Sequence, residues 1–457
     1  MTDGFRSLDP STGRLLATYD FTAAAAVEDA LDSAVRAQDG WRRWPLSERA
    51  EVLRRLAGLL RDEAAEHALR MAREMGKPIG EGRAEAEKCA WLTDYTADHG
   101  ADDLADEPAD TEARRSAVVF RPLGVILAIM PWNFPYWQVF RCAVPALMAG
   151  NAVVLKHAPN VPECAEAIAS LFDRAGLPAG LFHDLRLDLE TTGKVIDDPR
   201  IRGVALTGST RAGRAVAARA GAALKKTVLE LGGSDPYLIL ADADLPATAR
   251  ACSTSRLLNG GQSCIAAKRF LVVEAVRERF EASLIEEMAT RAPGDPSDPA
   301  TRLGPLARED LRANLDRQVR TSLDAGARCL LGGAVPDGPG FFYPPTVLTD
   351  VAPGMPAFDE ELFGPVAAVV PVADEAEAVR LANATCYGLG AAVFTADDER
   401  GERLAREELE AGACFVNDFV RSDPRLPFGG IRDSGWGREL ARLGIREFVN
   451  AKTLWVR

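Results

Sequence analysis

The chain of 457 residues contains no C-x-x-C pair, and its four histidines, His67, His99, His157 and His183, stand in no Cys-His or Ser-His arrangement close in sequence. The eight cysteines are scattered at Cys89, Cys142, Cys164, Cys252, Cys264, Cys329, Cys386 and Cys414. Such spacings suit neither a disulfide framework nor zinc and give no support to a histidine-based hydrolase, so no metal is expected. Two phosphate-binding signatures are missing as well. No G-x-G-x-x-G follows an early strand, and residues 208–213 lack the Lys-Ser/Thr of a P-loop. Long apolar runs are absent: the clearest, residues 124–130, is about a third of a membrane span. Residues 1–20 have no cationic start followed by an apolar core, so they do not read as a secretory signal. Positive charge is in deficit, with 54 Lys and Arg against 67 Asp and Glu and a net charge of −13. Phosphate-rich surfaces need a positive field. These absences predict a cytoplasmic protein with no nucleic-acid or membrane partner, and leave room for a small ligand held by local positive charge.

What remains is the composition of a globular protein, 47% hydrophobic and 26% charged, with 39 Gly and 28 Pro dispersed along it. At this length two domains are expected. After a turn at residues 9–13 the chain reads as helices; Val52, Leu53, Leu56, Leu59 and Leu60 recur at helical spacing and leave one buried stripe. From residue 124 short apolar runs alternate with helical segments: GVILAIM, a helix over 135–149, NAVVLK, a helix over 161–175, GVALTG, a helix over 212–224, and TVLEL. Strands covered on both faces look like this, which predicts a parallel α/β sheet ending near Leu231. A second alternation runs from PYLIL through helices over 245–258 and 276–288 to AAVV, AAVFT and ACFVN, and predicts a second α/β domain. Residues 112–121 and 447–457 fit neither. Both lean towards β structure, so they are expected to pair with each other or with another subunit.

Several short stretches carry candidate chemistry. Cys264 ends N-G-G-Q-S-C, where glycines can turn a loop sharply and expose the next side chain. Its thiol is a nucleophile where the thiolate is stabilised, although read alone it is by default a buried, inert thiol. Glu230 ends an apolar strand before Gly-Gly, surroundings that push a carboxyl towards neutrality and suit a general base; an acid leaving the sheet at its exposed end fits the position equally. Asn133 lies in PWNFP at the C-terminal end of a predicted strand, where open α/β sheets bind ligands, and its amide could donate to a developing oxyanion. Turn chemistry accounts for its Pro and Asn but not obviously for Trp132 and Phe134. Gly208-Ser209-Thr210 opens a helix, either as a plain cap or as a phosphate site.

Taken together, PWNFP at 131–135, GNAVVLKHAPN at 150–160, TGST at 207–210, LELGG at 229–233, GQSC at 261–264, EELFGPV at 360–366, PFGG at 427–430 and SGWGRE at 434–439 resemble the aldehyde dehydrogenase superfamily, in the family's order and over nearly the whole chain. The resemblance implies an α/β fold with a Rossmann-like cofactor domain over 1–113 and 124–232, a catalytic domain over 233–446, and an oligomerisation segment over 114–123 and 447–457, building a homodimer or homotetramer. It implies that Cys264 attacks an aldehyde, that the Asn133 amide and the Cys264 N–H stabilise the oxyanion, and that Glu230 activates the water that releases the acid. Lys156 would contact the adenosine ribose, Gly208 and Ser209 the pyrophosphate, Met130 and Trp132 the middle of the cofactor. Glu361 would hold the nicotinamide ribose, with Leu231 and Phe363 beside the ring. A cofactor turn unlike the usual Rossmann one would also account for the missing G-x-G-x-x-G. Relatives that prefer NAD often carry an acidic residue three positions after the lysine; here it is Pro159, so use of both NAD and NADP is expected.

KHAPN, ELGGSDP and AAKRF are similar to the shorter bacterial succinate-semialdehyde dehydrogenases, which implies succinate semialdehyde as the small-molecule substrate. Arg141, eight residues after Asn133, would bind the distal carboxylate. Ser422 is a second candidate and Arg425 an alternative to it. The chain departs from the pattern at Leu258, where longer members carry a second arginine. It departs also at Cys142, where a lysine is frequent, which puts a relay with Glu439 in doubt, and at Ala266, which rules out a local disulfide. The other readings are oxidation of glutarate semialdehyde or an aliphatic or aromatic aldehyde, a non-catalytic nucleotide-binding member of the fold, and a thiol hydrolase.

Overall fold

Continuous apolar runs have no polar face to offer water, so they fold as strands covered on both sides. In the computed structural model, which describes residues 4–457, the first group forms a six-stranded sheet in the order Gly435–Trp436, Lys226–Glu230, Ile201–Thr207, Val125–Ile129, Ala152–Lys156, Phe182–Asp184. All neighbours are parallel except the first pair. The chain enters at Val125–Ile129, winds outward to Phe182–Asp184, then returns to the other side. Such a sheet has its ligand crevice at the C-terminal ends of the strands beside the reversal. The helices Trp137–Met148, Pro162–Arg174 and Thr210–Ala222 lie within two residues of the predicted boundaries.

The second sheet has seven strands in the order Arg328–Leu331, Thr346–Thr349, Val366–Val372, Ala267–Val273, Asp235–Ile239, Gly390–Phe394, Ala413–Val416, parallel but for the first. Each sheet has its own large apolar core, and Cys264, Ile265 and Phe363 from the second half of the chain pack against the first core. The cleft between the halves is therefore where the candidate residues gather.

Residues Val449–Val456 pair antiparallel with Arg115–Pro122, Val449 opposite Pro122 and Val456 opposite Arg115, and Glu107–Ala109 adds a third strand. The structure differs from expectation at three places, the first being this third strand, which lies inside the 1–113 stretch expected as cofactor domain. Gly435–Trp436, inside the stretch expected to be wholly catalytic domain, crosses back to pair with Glu230 and Leu229 on the first sheet. The turn at residues 9–13 joins a hairpin, Gly4–Leu8 with Leu15–Asp20, before any helix begins. Its second strand is exposed or half-exposed along its whole length, so no alternation betrays it. The long helix Ile79–Asp103 packs on both Leu46–Asp62 and Trp137–Met148 and forms one wall of the cleft. No described helix is long and apolar enough to cross a membrane.

Candidate active site

The helix Leu245–Leu257 is followed by three left-handed residues, Asn259, Gly260 and Gly261, with φ of 54°, 64° and 74°. Only glycine enters that region freely, with Asn next in tolerance. At Gly261 the demand is double, because a Cβ would also fall within contact distance of the Gly364 carbonyl. The turn sends Gln262 and Ser263 inward. Gln262 Oε1 accepts from Ala307 N at 2.9 Å, and its Nε2 donates to Asn259 O at 3.1 Å. Lys268, fully buried in Ala267–Val273, donates to the carbonyls of Ser263 at 3.1 Å, Cys264 at 2.7 Å and Ala266 at 3.4 Å. The backbone around Cys264 is thus pinned from inside the sheet, and its side chain stays half-buried at the cavity wall.

Asn133 reaches this loop from the first sheet. Its Nδ2 donates to Gln262 O at 3.0 Å, and Asn259 Nδ2 donates back to Asn133 O at 2.6 Å. The Gln262 carbonyl can only accept, so it fixes the Asn133 amide with nitrogen towards the thiol loop and leaves the second N–H free. The PWNFP segment is anchored in turn by Glu85, whose Oε1 accepts from Tyr136 N at 2.9 Å and Trp137 N at 3.0 Å. Lys77 pairs with Glu85 and lies 3.9 Å from the centroid of the Phe134 ring.

Glu230 ends Lys226–Glu230, is 2% exposed, and neither of its carboxylate oxygens has a hydrogen-bond partner. Burial holds its carboxyl well above the usual carboxylate range, with Arg141 pulling the other way. Gly429 comes so close that a Cβ there would lie 2.8 Å from Glu230 Oε1. Arg141 is no surface residue: it is 2% exposed, pairs through Nε with Glu439, and places Nη2 4.0 Å from Glu230 Oε2. Glu439 therefore has an arginine partner where the family's lysine position is the buried Cys142. Burial also pushes the Cys264 thiol up to about 12, opposed by Arg141 and Lys268.

Cys264, Arg141 and Ser422 line one cavity, together with Phe134, Trp137 and Leu258. Arg425 lies elsewhere. It is paired with Asp423 at 2.7 Å with its side chain 65% exposed, because the Asp-Pro turn aims it outward, so Ser422 is the cavity residue of the two. Two residues that the sequence reading passed over also belong here, Lys268 behind the loop and Lys88 on the cavity wall. Lone lysines in a helix and a strand carry no pattern that marks them.

The expected cofactor residues sit along the C-terminal edge of the first sheet. Met130 follows Val125–Ile129, and its N–H donates to Lys156 O at 3.1 Å. Lys156 ends its strand with Nζ 5.6 Å from the Phe5 ring centroid; burial lowers its pKa and Asp184 opposes this. Pro159 is exposed and uncharged. Gly208 N donates to Glu230 O at 2.9 Å, and Ser209 caps Thr210–Ala222 by accepting from Ala212 N at 3.3 Å. That helix start lies beside the topological reversal, and its free N–H groups suit a pyrophosphate. Leu231 is buried against Gly213 on the same helix. Trp132 and Phe363 meet edge to face at 5.8 Å, and Glu361 accepts from Gly233 N at 3.1 Å, 3.8 Å from Lys268. This donor set fits a dinucleotide: a cationic end at Lys156, an amide cluster at the helix start, and a carboxylate able to accept from ribose hydroxyls.

Residues 2–454 match the aldehyde dehydrogenase family. The chain belongs to that family. A probable succinate-semialdehyde dehydrogenase [NADP(+)] of Synechocystis is 47% identical over 450 residues, covering 98% of this chain and 99% of the relative. The succinate semialdehyde dehydrogenase [NAD(P)+] Sad of Escherichia coli is 47% identical over 449 residues, covering 98% and 97%. The crystal structure of succinic semialdehyde dehydrogenase from Streptococcus pyogenes with NADP+ superposes with a TM-score of 0.97 at 38% identity, covering 99% of each chain. Membership explains the absences in the sequence. This aldehyde dehydrogenase has PWNFP at its first strand-to-helix turn, where a Rossmann protein would have glycines, and the Gly208-Ser209 helix start comes after a later strand.

Proposed function

We propose that this aldehyde dehydrogenase oxidises succinate semialdehyde to succinate with NAD or NADP. The observation that carries the substrate is the presence of Arg141 and Ser422 in the same cavity as Cys264, a cation and a hydroxyl for the far carboxylate of a short aldehyde acid. The full-length relatives of Synechocystis, Escherichia coli and Streptococcus pyogenes support it.

In this reading Cys264 loses its proton to Glu230, whose raised pKa makes it basic enough to take it, and the sulfur adds to the aldehyde carbon. The free N–H of Asn133 and the Cys264 backbone N–H stabilise the oxyanion. A bound nicotinamide dinucleotide supplies the hydride acceptor. Lys156, Gly208, Ser209 and Glu361 hold it, with Met130, Trp132, Leu231 and Phe363 as apolar contacts. Once the adduct has given its hydride to that acceptor and become a thioester, and Glu230 has passed its first proton to solvent, Glu230 takes a proton from water, which attacks the thioester and frees the acid with the Cys264 sulfur as leaving group. Pro159 carries no charge to repel a 2′-phosphate, so both cofactors serve. The largely exposed edge strand Val449–Val456 supports assembly as a homodimer or homotetramer, and eight unpaired thiols suit a reducing cytoplasm.

The test is an aldehyde panel followed by reduced-cofactor absorbance with each dinucleotide. Succinate semialdehyde should exceed butanal in kcat/KM by about 10-fold or more, the worth of a charge-assisted pair, and both NAD and NADP should support turnover. Preference for uncharged aldehydes overturns the substrate, and turnover with one dinucleotide alone overturns the cofactor assignment.

A further inference from the structure

We propose that Lys88, with Ser422 beside it, joins Arg141 in receiving the substrate's carboxylate and sets the preference for an aldehyde that carries one. The inference rests on the reading of the substrate as a short semialdehyde acid and names the residue that selects it.

The helix Ile79–Asp103 turns Glu81, Ala84, Glu85 and Lys88 into the cavity, the i, i+3, i+4, i+7 spacing of a single face. Lys88 Nζ donates to Ser422 Oγ at 2.8 Å and lies 4.4 Å from the centroid of Trp137. Three cations line the cavity, Lys88, Arg141 and Arg421. Two have carboxylate partners: Arg141 is held by Glu439 with Glu230 near, and Arg421 pairs with Asp418 at 2.7 Å. Among the described residues Lys88 has a hydroxyl and an aromatic face but no ion-pair partner. A half-buried cation without a counter-ion is poorly compensated, and the arriving carboxylate would supply one. Burial already lowers the Lys88 pKa to about 8, with Arg141 adding to the effect and Cys89, Glu85 and Asp423 opposing it. Leu258 lines the same cavity without a charge, and Lys88 adds a positive charge to that of Arg141 from a different helix.

The experiment compares wild type, Lys88→Met, Lys88→Gln and Lys88→Arg on succinate semialdehyde and butanal, with succinate as product inhibitor. In Lys88→Met the ratio of kcat/KM for the two aldehydes should fall about 10- to 100-fold, through KM rather than kcat, as expected for loss of a charged hydrogen bond. Succinate inhibition should weaken by a similar factor, and Lys88→Arg should recover most of both. Lys88→Gln keeps a polar head beside Ser422 and serves if the methionine variant does not fold. A ratio that stays within twofold of wild type, or an equal loss for both aldehydes, overturns the role of Lys88 and leaves the substrate standing. If the wild type itself prefers butanal, the substrate reading fails and this inference goes with it.

Discussion

The two sides of the cleft treat their polar groups in opposite ways. Around Cys264 the backbone carbonyls are fastened: Lys268 takes three of them, Asn259 and Asn133 converge on Gln262 O, and the Gln262 side chain bridges to Ala307. Around Glu230 the reverse holds, with a buried carboxylate lacking any hydrogen bond and one guanidinium 4.0 Å away. In the proposed mechanism the thiol must stay where it is put, and its loop is fastened. The carboxylate proposed as base must gain and lose protons, and its charge is left poorly solvated and its pKa raised. Rigidity lies on one side of the cleft and titratability on the other.

The strongest way to break that contrast is Glu230→Gln. Activation of the Cys264 thiol and hydrolysis of the thioester both lose their base, so steady turnover should fall by about 10²- to 10⁴-fold, the worth of a general base. Rapid-mixing absorbance should then show reduced cofactor forming slowly from the first turnover. In the wild type the steady rate should climb as pH rises towards the raised pKa of Glu230. The linkage sign follows from the same shift. A carboxyl raised in the folded state favours folding fully below its unfolded value of about 4.3 and loses that contribution as pH rises through the folded one. Glu230→Gln should therefore melt at a higher temperature than wild type at pH 8, trading activity for stability. A variant with wild-type steady turnover would remove Glu230 from the mechanism.

On the fastened side the largest effect belongs to Gly261→Ala. The substitution asks an alanine to hold φ of 74° and to displace the Gly364 backbone. We expect a loss of about 2 to 4 kcal/mol in denaturant unfolding, combining left-handed strain with overpacking. Aldehyde oxidation should fall about 10-fold or more through a misplaced thiol. A Gly261→Ala protein of full stability and activity would mean that the turn is not what positions Cys264.

The same contrast explains what the sequence makes visible. Strands such as Val125–Ile129 and Ile201–Thr207 are buried on both faces, so their apolar runs stand out. The strand Phe182–Asp184 is only half-buried and three residues long, and Arg328–Leu331 is half-exposed, so neither leaves a periodic trace. Cys264, Glu230 and Asn133 are legible because glycines and prolines flank them, residues with backbone demands that ordinary packing does not make. Lys88 is not, since a lysine on an amphipathic helix looks like any solvated charge until the packing of Ile79–Asp103 on Trp137–Met148 turns it inward. Arg141 was visible as a position but not as a partner of Glu439, because that pair joins residues almost 300 apart.

Lys268 is where the two sides touch, and it gives the smallest and sharpest test. Its ammonium fastens the loop carbonyls, sits 3.8 Å from Glu361, and opposes the burial that raises the Cys264 pKa. Lys268→Met would leave buried carbonyls without a donor and remove a positive charge near the thiol. Unfolding free energy should drop by about 1 to 3 kcal/mol. Alkylation of Cys264 by iodoacetamide, mapped by mass spectrometry and followed from pH 7 to 10, should slow by about 3- to 10-fold at each pH, since the thiolate is the reacting form. A purely structural lysine would lower stability without moving the pH profile of alkylation. If the profile stays in place while stability drops, fastening and electrostatics are separate in this cleft, and the thiol owes its activation to Arg141 and Glu230 alone.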